Sequence, residues 1–193
     1  MFNNDTLLFL VLIGIFIVVG VLAYVQQQKQ KQLFEEQAQK RNGRIEKGSF
    51  LASDRLILPV RNLELRIYTV PGGKNRPPKT VAELGNGGGR FPKIRVGRNT
   101  LFQKTLETFG QERFRLGDED FDQAFVIQTE DESSARRVLS YEIQKNLLEL
   151  VSKNPSLETG PKQFRWVILQ IPKNTEEYDL FIETGLAVLQ KLA

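Results

Sequence analysis

The hydrophobic pattern divides the chain into three stretches. Leu7 to Val25, LLFLVLIGIFIVVGVLAYV, is a run of 19 residues with no charge in it. As a helix at about 1.5 Å per residue it measures roughly 28 Å, close to the hydrocarbon thickness of a bilayer. A helix also satisfies its backbone polar groups internally, as lipid requires. Residues 7–25 are therefore expected to span a membrane, after a short tail, 1–6. Gln26 to Arg41, QQQKQKQLFEEQAQKR, consists of good helix formers without Pro or Gly. It predicts a polar helical stalk or linker over 26–43. Leu33, Phe34 and Ala38 are its apolar residues, too few for sustained heptads. Asn42-Gly43 supplies the stop, because both residues accept the left-handed conformation at a helix C-terminus.

From residue 44 the periods shorten. Arg44–Phe50, Arg55–Val60 and Leu63–Val70 read as strands. In the last of them Leu63, Leu65 and Ile67 alternate with Glu64, Arg66 and Tyr68, the pattern of a half-buried strand. Pro71-Gly72-Gly73 makes a turn, and Lys74 to Arg90, with Pro77-Pro78 and a Gly-rich run at 85–89, reads as a long loop. Lys93–Val96 is a short strand. Asn99 caps an expected helix with Leu101, Phe102, Thr105, Leu106 and Phe109 on one face, stopped by Gly110. Phe114 and Leu116 suggest a strand, and Gln123–Gln128 another. Ala135–Leu139 reads as a helical turn. Ser140 to about Lys153 reads as a helix ended by Pro155. Gln163–Ile171 carries apolar groups on both faces, as a central strand does. Asn174-x-x-Glu177 resembles a capping box opening a helix over Thr175–Leu192. The fold class expected is α+β: a single N-terminal membrane helix followed by one domain, 44–193, whose mainly antiparallel sheet is covered by C-terminal helices.

Composition refines this picture. About 150 residues beyond the stalk suffice to bury one core without disulfides or metal. The flank after the span carries Lys29, Lys31, Lys40, Arg41 and Arg44, while MFNNDT before it carries Asp5 and no Lys or Arg. By the positive-inside rule the N-terminus lies outside and the domain in the cytoplasm. The charge-poor start, the long apolar run and Tyr24-Val25-Gln26 after it argue against a cleaved signal peptide. Gly14 and Gly20 are six apart, which makes no Gly-x-x-x-Gly association face. Residues 53–105 hold 11 Lys/Arg against 3 Asp/Glu, and residues 106–150 hold 5 against 11. The basic half suits anionic headgroups as a possible partner.

The chain has no His and no Cys. That excludes Ser-His-Asp and Cys-His nucleophile systems, imidazole bases, and zinc or haem sites built on those residues. No Ser-x-x-Lys spacing occurs. The Gly-rich run fits neither phosphate-loop nor dinucleotide spacing. Asp118, Asp120 and Asp122 copy the opening of a calcium loop, but Gln123 stands where Gly is needed and Thr129 where the bidentate Glu belongs. They remain the candidate metal residues. No catalytic or cofactor-binding residue is assigned, and no cofactor is expected. Phe91, Phe102, Phe109 and Phe114 sit at core periodicities, so nucleic acid is an unlikely partner.

The segment Gly117-Asp118-Glu119-Asp120-Phe121-Asp122-Gln123-Ala124-Phe125-Val126-Ile127, followed by Ala135–Leu139 and the helix through Leu150, resembles an uncharacterised family of membrane-anchored bacterial proteins with a Gly-Asp-x-x-Phe-Asp-x-x-Phe strand motif. The resemblance implies a bacterial plasma membrane, an architecture, and structural roles for Phe121 and Phe125. It implies no catalytic residue. The functional expectation is a membrane-tethered, non-enzymatic interaction or assembly module whose partner is the bilayer, with another membrane protein as a second candidate partner. The alternatives are a divalent-metal hydrolase using Asp118, Asp120 and Asp122, or an anionic-lipid-binding domain. Oligomeric state is not readable.

Overall fold

A computed structural model of the chain describes residues 4–48, 53–84, 90–99, 114–161 and 163–192. One helix, α1 (Asn4–Lys40), contains both the apolar run and the polar stretch after it. It is long and apolar enough to cross a membrane. Large side chains from Leu12 to Val25, including Ile13, Phe16, Leu22 and Tyr24, are exposed. The helix stops as its sequence predicts. Asn42 takes a positive φ of 51°, and the Gly43 N–H closes back on the Ala38 carbonyl at 2.8 Å. Gly43 is required for space. A Cβ there would lie 2.7 Å from the Ile57 backbone oxygen and 2.6 Å from Leu58 Cδ2.

The domain is α+β, as expected. Its strands are β1 (Arg44–Glu46), β2 (Arg55–Val60), β3 (Leu63–Val70), β4 (Lys79–Leu84), β5 (Arg90–Arg98), β6 (Phe125–Thr129), β7 (Ser156–Pro161) and β8 (Gln163–Ile168). They form one antiparallel sheet in the order β1-β2-β3-β4-β8-β7-β5-β6. Four further helices are described: α2 (Glu119–Ala124), α3 (Glu132–Val138), α4 (Tyr141–Glu149), which continues into a 3-10 turn at Val151–Lys153, and α5 (Thr175–Leu192).

All of these helices contribute to a core on one face of the sheet. That face presents Leu56, Leu58, Leu65, Ile67, Ala82, Ile94, Val96, Ile127, Leu157, Phe164, Trp166 and Ile168. α4 adds Ile143 and Leu147, and α5 adds Tyr178, Phe181, Ile182 and Leu189. Trp166 stacks on Phe181 at 5.6 Å, and its indole N–H donates to the Phe181 carbonyl at 3.0 Å. The buried hydroxyls are satisfied: Thr80 donates to Gln170 O, Thr159 to Pro92 O and Thr184 to Leu180 O, each at 2.7–2.8 Å.

Several expectations are corrected. The loop read over Lys74–Arg90 contains β4, in which Thr80, Val81 and Ala82 are buried. Prolines before it and glycines after it diluted its pattern. The strand Arg44–Phe50 is described only as β1, and β5 is longer than Lys93–Val96. Gln123–Gln128 is not all strand, because α2 occupies the residues up to Ala124. Phe114 makes an isolated bridge to Ile127 rather than a strand. The helix over Ser140–Lys153 ends its α-helical part at Glu149. β8 is central, but it ends at Ile168, where the Leu169 N–H turns to Lys153 O. On its second face Val167 is buried while Arg165 is exposed, so only one face is fully covered. The helix expected after Asn99 and the Gly-rich run lie outside the described residues.

Candidate functional site: the junction of anchor and domain

The stretch expected to be a stalk is helical, and its last three turns are packed into the domain. Gln30, Phe34, Gln37 and Arg41 recur at helical spacing and make one face. Leu33, Phe34 and Ala38 are buried in the core, and Phe34 meets Tyr178 edge-on at 5.6 Å. Around this apolar contact is a polar clasp. Gln30 Nε2 donates to Pro172 O at 3.0 Å, and the Tyr178 hydroxyl donates to Gln30 Oε1 at 2.7 Å. The Thr175 hydroxyl donates to Glu36 at 2.6 Å.

Asp179 is the centre of the clasp. Its carboxylate accepts from Lys40 Nζ at 2.7 Å, from Arg41 Nη2 at 2.8 Å and from Gln37 Nε2 at 3.1 Å. Arg41 also bonds Glu183 at 3.1 Å and the Gln37 side-chain oxygen. The Arg41 side chain is only 12% exposed and that of Asp179 21%, so both charges depend on their partners. Burial alone would push the Asp179 carboxyl up, but the hydrogen bonds from Lys40, Arg41 and Gln37 outweigh it and hold it below the usual carboxylate range. Burial also raises the Tyr178 phenol, which therefore stays protonated and a donor.

A carboxyl depressed on folding adds stability that is complete above its unfolded value of about 4 and is lost as pH falls through the lower folded value. The melting temperature of the wild type should therefore drop more steeply below about pH 4 than that of Asp179→Asn. Parallel pH profiles of the two proteins by circular dichroism would contradict this assignment.

The acidic turn has a different character. Gly117 adopts a positive φ of 98°. Asp118 caps α2 by accepting from the Phe121 N–H at 2.9 Å. Asp122 accepts from the Leu116 N–H at 3.0 Å and the Gly117 N–H at 2.9 Å. Asp120 is exposed. Of the three candidate metal residues, two thus point at backbone donors. Among the described residues no group of three or more His, Cys, Asp or Glu converges as a metal set. Phe121 and Phe125 stack at 4.8 Å in the core, and Arg136 ties the turn by donating to Leu116 O and Arg115 O. The motif builds a turn, a short helix and the start of β6.

The sheet's other face carries a row of alternating charge. Register sets Arg66 opposite Glu83, Glu83 opposite Arg165, Arg165 opposite Glu158 and Glu158 opposite Arg95. Arg95 Nη2 meets Glu158 at 2.7 Å. The Tyr68 hydroxyl donates to Glu83 at 3.2 Å. Burial, and then the neighbouring Glu83 carboxylate, push that phenol up. Opposite charges facing one another contribute about 0.2–1 kcal/mol each.

No family model matches the chain. No curated protein matches it in sequence either. A solved structure does match in shape. The crystal structure of the mycobacterial trehalose monomycolate transport factor A, TtfA, superposes with a TM-score of 0.52 at 11% sequence identity, over 87% of this chain and 96% of that one. At that identity the likeness shows a shared fold.

Proposed function

We propose that this chain is a membrane-tethered, non-enzymatic interaction or assembly module, held on the cytoplasmic side of a bacterial plasma membrane. The observation that carries the reading is the continuity of α1. One helix is apolar and exposed over Leu12–Val25 and part of the domain core at Leu33, Phe34 and Ala38. A domain built this way cannot tumble on a flexible tether. It is presented to membrane partners at high effective concentration and in one orientation. The fold shared with a transport factor suggests the class of partner, a membrane transport assembly. The resemblance of residues 117–150 to a family of membrane-anchored bacterial proteins with the Gly-Asp-x-x-Phe-Asp-x-x-Phe motif fits the same role. The exposed residues Arg95 and Arg165 of the charged row offer the polar surface such a partner would read.

Affinity purification of the full chain from native membranes in mild detergent tests this. A membrane protein should be retained in fixed stoichiometry and lost when Arg95→Glu and Arg165→Glu are combined. Absence of any stoichiometric partner, together with tight Mg²⁺, Ca²⁺ or Mn²⁺ binding that Asp120→Ala abolishes, would instead favour the hydrolase.

A further inference from the structure

The docked anchor determines which end of the sheet faces the bilayer. α1 runs away from its apolar half, and Asn42-Gly43 reverses the chain into β1. β1 therefore runs back toward the apolar half, β2 away, β3 back and β4 away, while β8, antiparallel to β4, runs back again. On the half of the sheet nearer α1, the ends brought toward the membrane are Lys47-Gly48 after β1, the β3–β4 hairpin and the β8–α5 connection. On the far half the end of β5 and the start of β6 lie at the same end. Two hydrogen bonds support this placement independently of strand direction. Gln30 of α1 bonds Pro172 in the β8–α5 connection, and Thr80 at the root of the hairpin bonds Gln170 in the same connection. Gln30 lies five residues past Val25, about 8 Å along the helix axis. The headgroup layer on each side of a bilayer is roughly 5–8 Å thick. Pro172 thus sits where headgroups end.

That end is basic. From Val70 to Lys79 the hairpin carries Lys74, Arg76 and Lys79 and no acid. It is stiffened by a Gly73–Arg76 bridge, with backbone bonds of 2.8 and 3.2 Å, and by Pro71, Pro77 and Pro78. Residues 71–78 are exposed throughout. Lys47 and Lys173, at the neighbouring ends, are exposed as well. None of these five cations has an ion pair among the described residues. The acids near them are largely engaged: Glu46 faces Arg55 at 4.0 Å, Glu177 bonds Lys153 at 3.3 Å and Asp54 accepts from the Gly48 N–H. Glu176 stays exposed at the start of α5.

We infer that the β3–β4 hairpin, with Lys74, Arg76 and Lys79, is a headgroup-contacting element that binds anionic phospholipid of the same bilayer that holds α1. The contact fixes the tilt of the domain on its anchor and adds an electrostatic hold that salt weakens. It rests on the reading of α1 as a docked membrane span, and it adds a lipid class and a site to that reading.

The chain has no cysteine, so Asn75→Cys and Asn62→Cys each give a single labelling position, at the hairpin tip and at the β2–β3 turn on the opposite end. The full chain, carrying a fluorophore at either position, is placed in lipid nanodiscs containing a trace of nitroxide-headgroup lipid. In phosphatidylglycerol-containing discs the Asn75 label should be quenched several-fold more than the Asn62 label. The excess should fall with added KCl and in the combined Lys74→Glu, Arg76→Glu and Lys79→Glu variant. These substitutions are surface changes, and unchanged Trp166 emission verifies the fold. Equal quenching in pure phosphatidylcholine discs, or at the two positions, overturns the inference while leaving partner retention untouched. Stronger quenching at Asn62 overturns the orientation itself.

Discussion

Phe34→Ala releases the second half of α1 from the domain. Phe34 is buried against Tyr178 and belongs to the same core as Leu56 and Leu58. Truncating a buried Phe costs about 3–5 kcal/mol, from lost transfer free energy and the cavity left behind. Here the loss falls on a local contact, α1 against α5, so it is expressed as local opening rather than as global unfolding. At about 1.4 kcal/mol per tenfold, the undocked population should rise roughly a hundredfold or more. Arg41 and Lys40 would then leave Asp179, and the stretch around Arg41 would become a substrate for trypsin. Limited proteolysis in detergent should show cleavage at Lys40 or Arg41 far faster in Phe34→Ala than in wild type, with the remainder of the domain intact. Gln32→Ala, on the exposed side of the same helix, should leave the rate unchanged. Equal rates for all three proteins would mean that the helix is held by something other than this contact.

Trp166→Ala should be the costliest single change in the sheet. Trp166 is 1% exposed in the central strand β8, stacked on Phe181, with its N–H satisfied by a carbonyl of α5. Gly185 completes the fit: a Cβ there would stand 3.1 Å from the indole. That close approach explains why α5 tolerates a glycine in its interior at a cost of roughly 1 kcal/mol in helix propensity. Removing the indole leaves a cavity between β8 and α5 and costs about 3–5 kcal/mol, a large share of the 5–15 kcal/mol that holds a typical domain together. Urea unfolding followed by circular dichroism should show a much lower midpoint at unchanged slope. A midpoint within a few tenths of a molar of wild type would contradict the packing described for β8 and α5.

The elements most legible in the sequence were those with undiluted periods. The apolar run, β2 and β3, and the helix over Thr175–Leu192 with Asn174 as its cap all had patterns that kept their period despite a single Pro59 in β2 and Gly185 in the helix. The Glu177 N–H does donate to Asn174 Oδ1 at 2.9 Å. β4 was hidden because prolines and glycines on either side read as loop. α2 was hidden because Phe121 and Phe125 fit a strand motif as well as they fit a helical turn leading into a strand. The junction was the larger omission. The apolar residues in 26–41 are too few for sustained heptads, but three of them suffice to dock on a neighbouring helix when Gln30, Gln37 and Arg41 share their face. The partner of that face, Asp179, lies about 140 residues away in sequence, and no local pattern couples the two. Asp118 and Asp122 show the reverse case. Their spacing suggested a cation loop, and the structure uses it to cap a short helix and close a turn.

Distance measurement by double electron–electron resonance on the full chain in lipid nanodiscs tests the central claim most directly. With spin labels at Gln32→Cys on α1 and Gln190→Cys on α5, a docked anchor gives one narrow distance that Phe34→Ala broadens. A broad distribution in the wild type, indistinguishable from that of the variant, would show that the helix leaves the membrane as a free stalk.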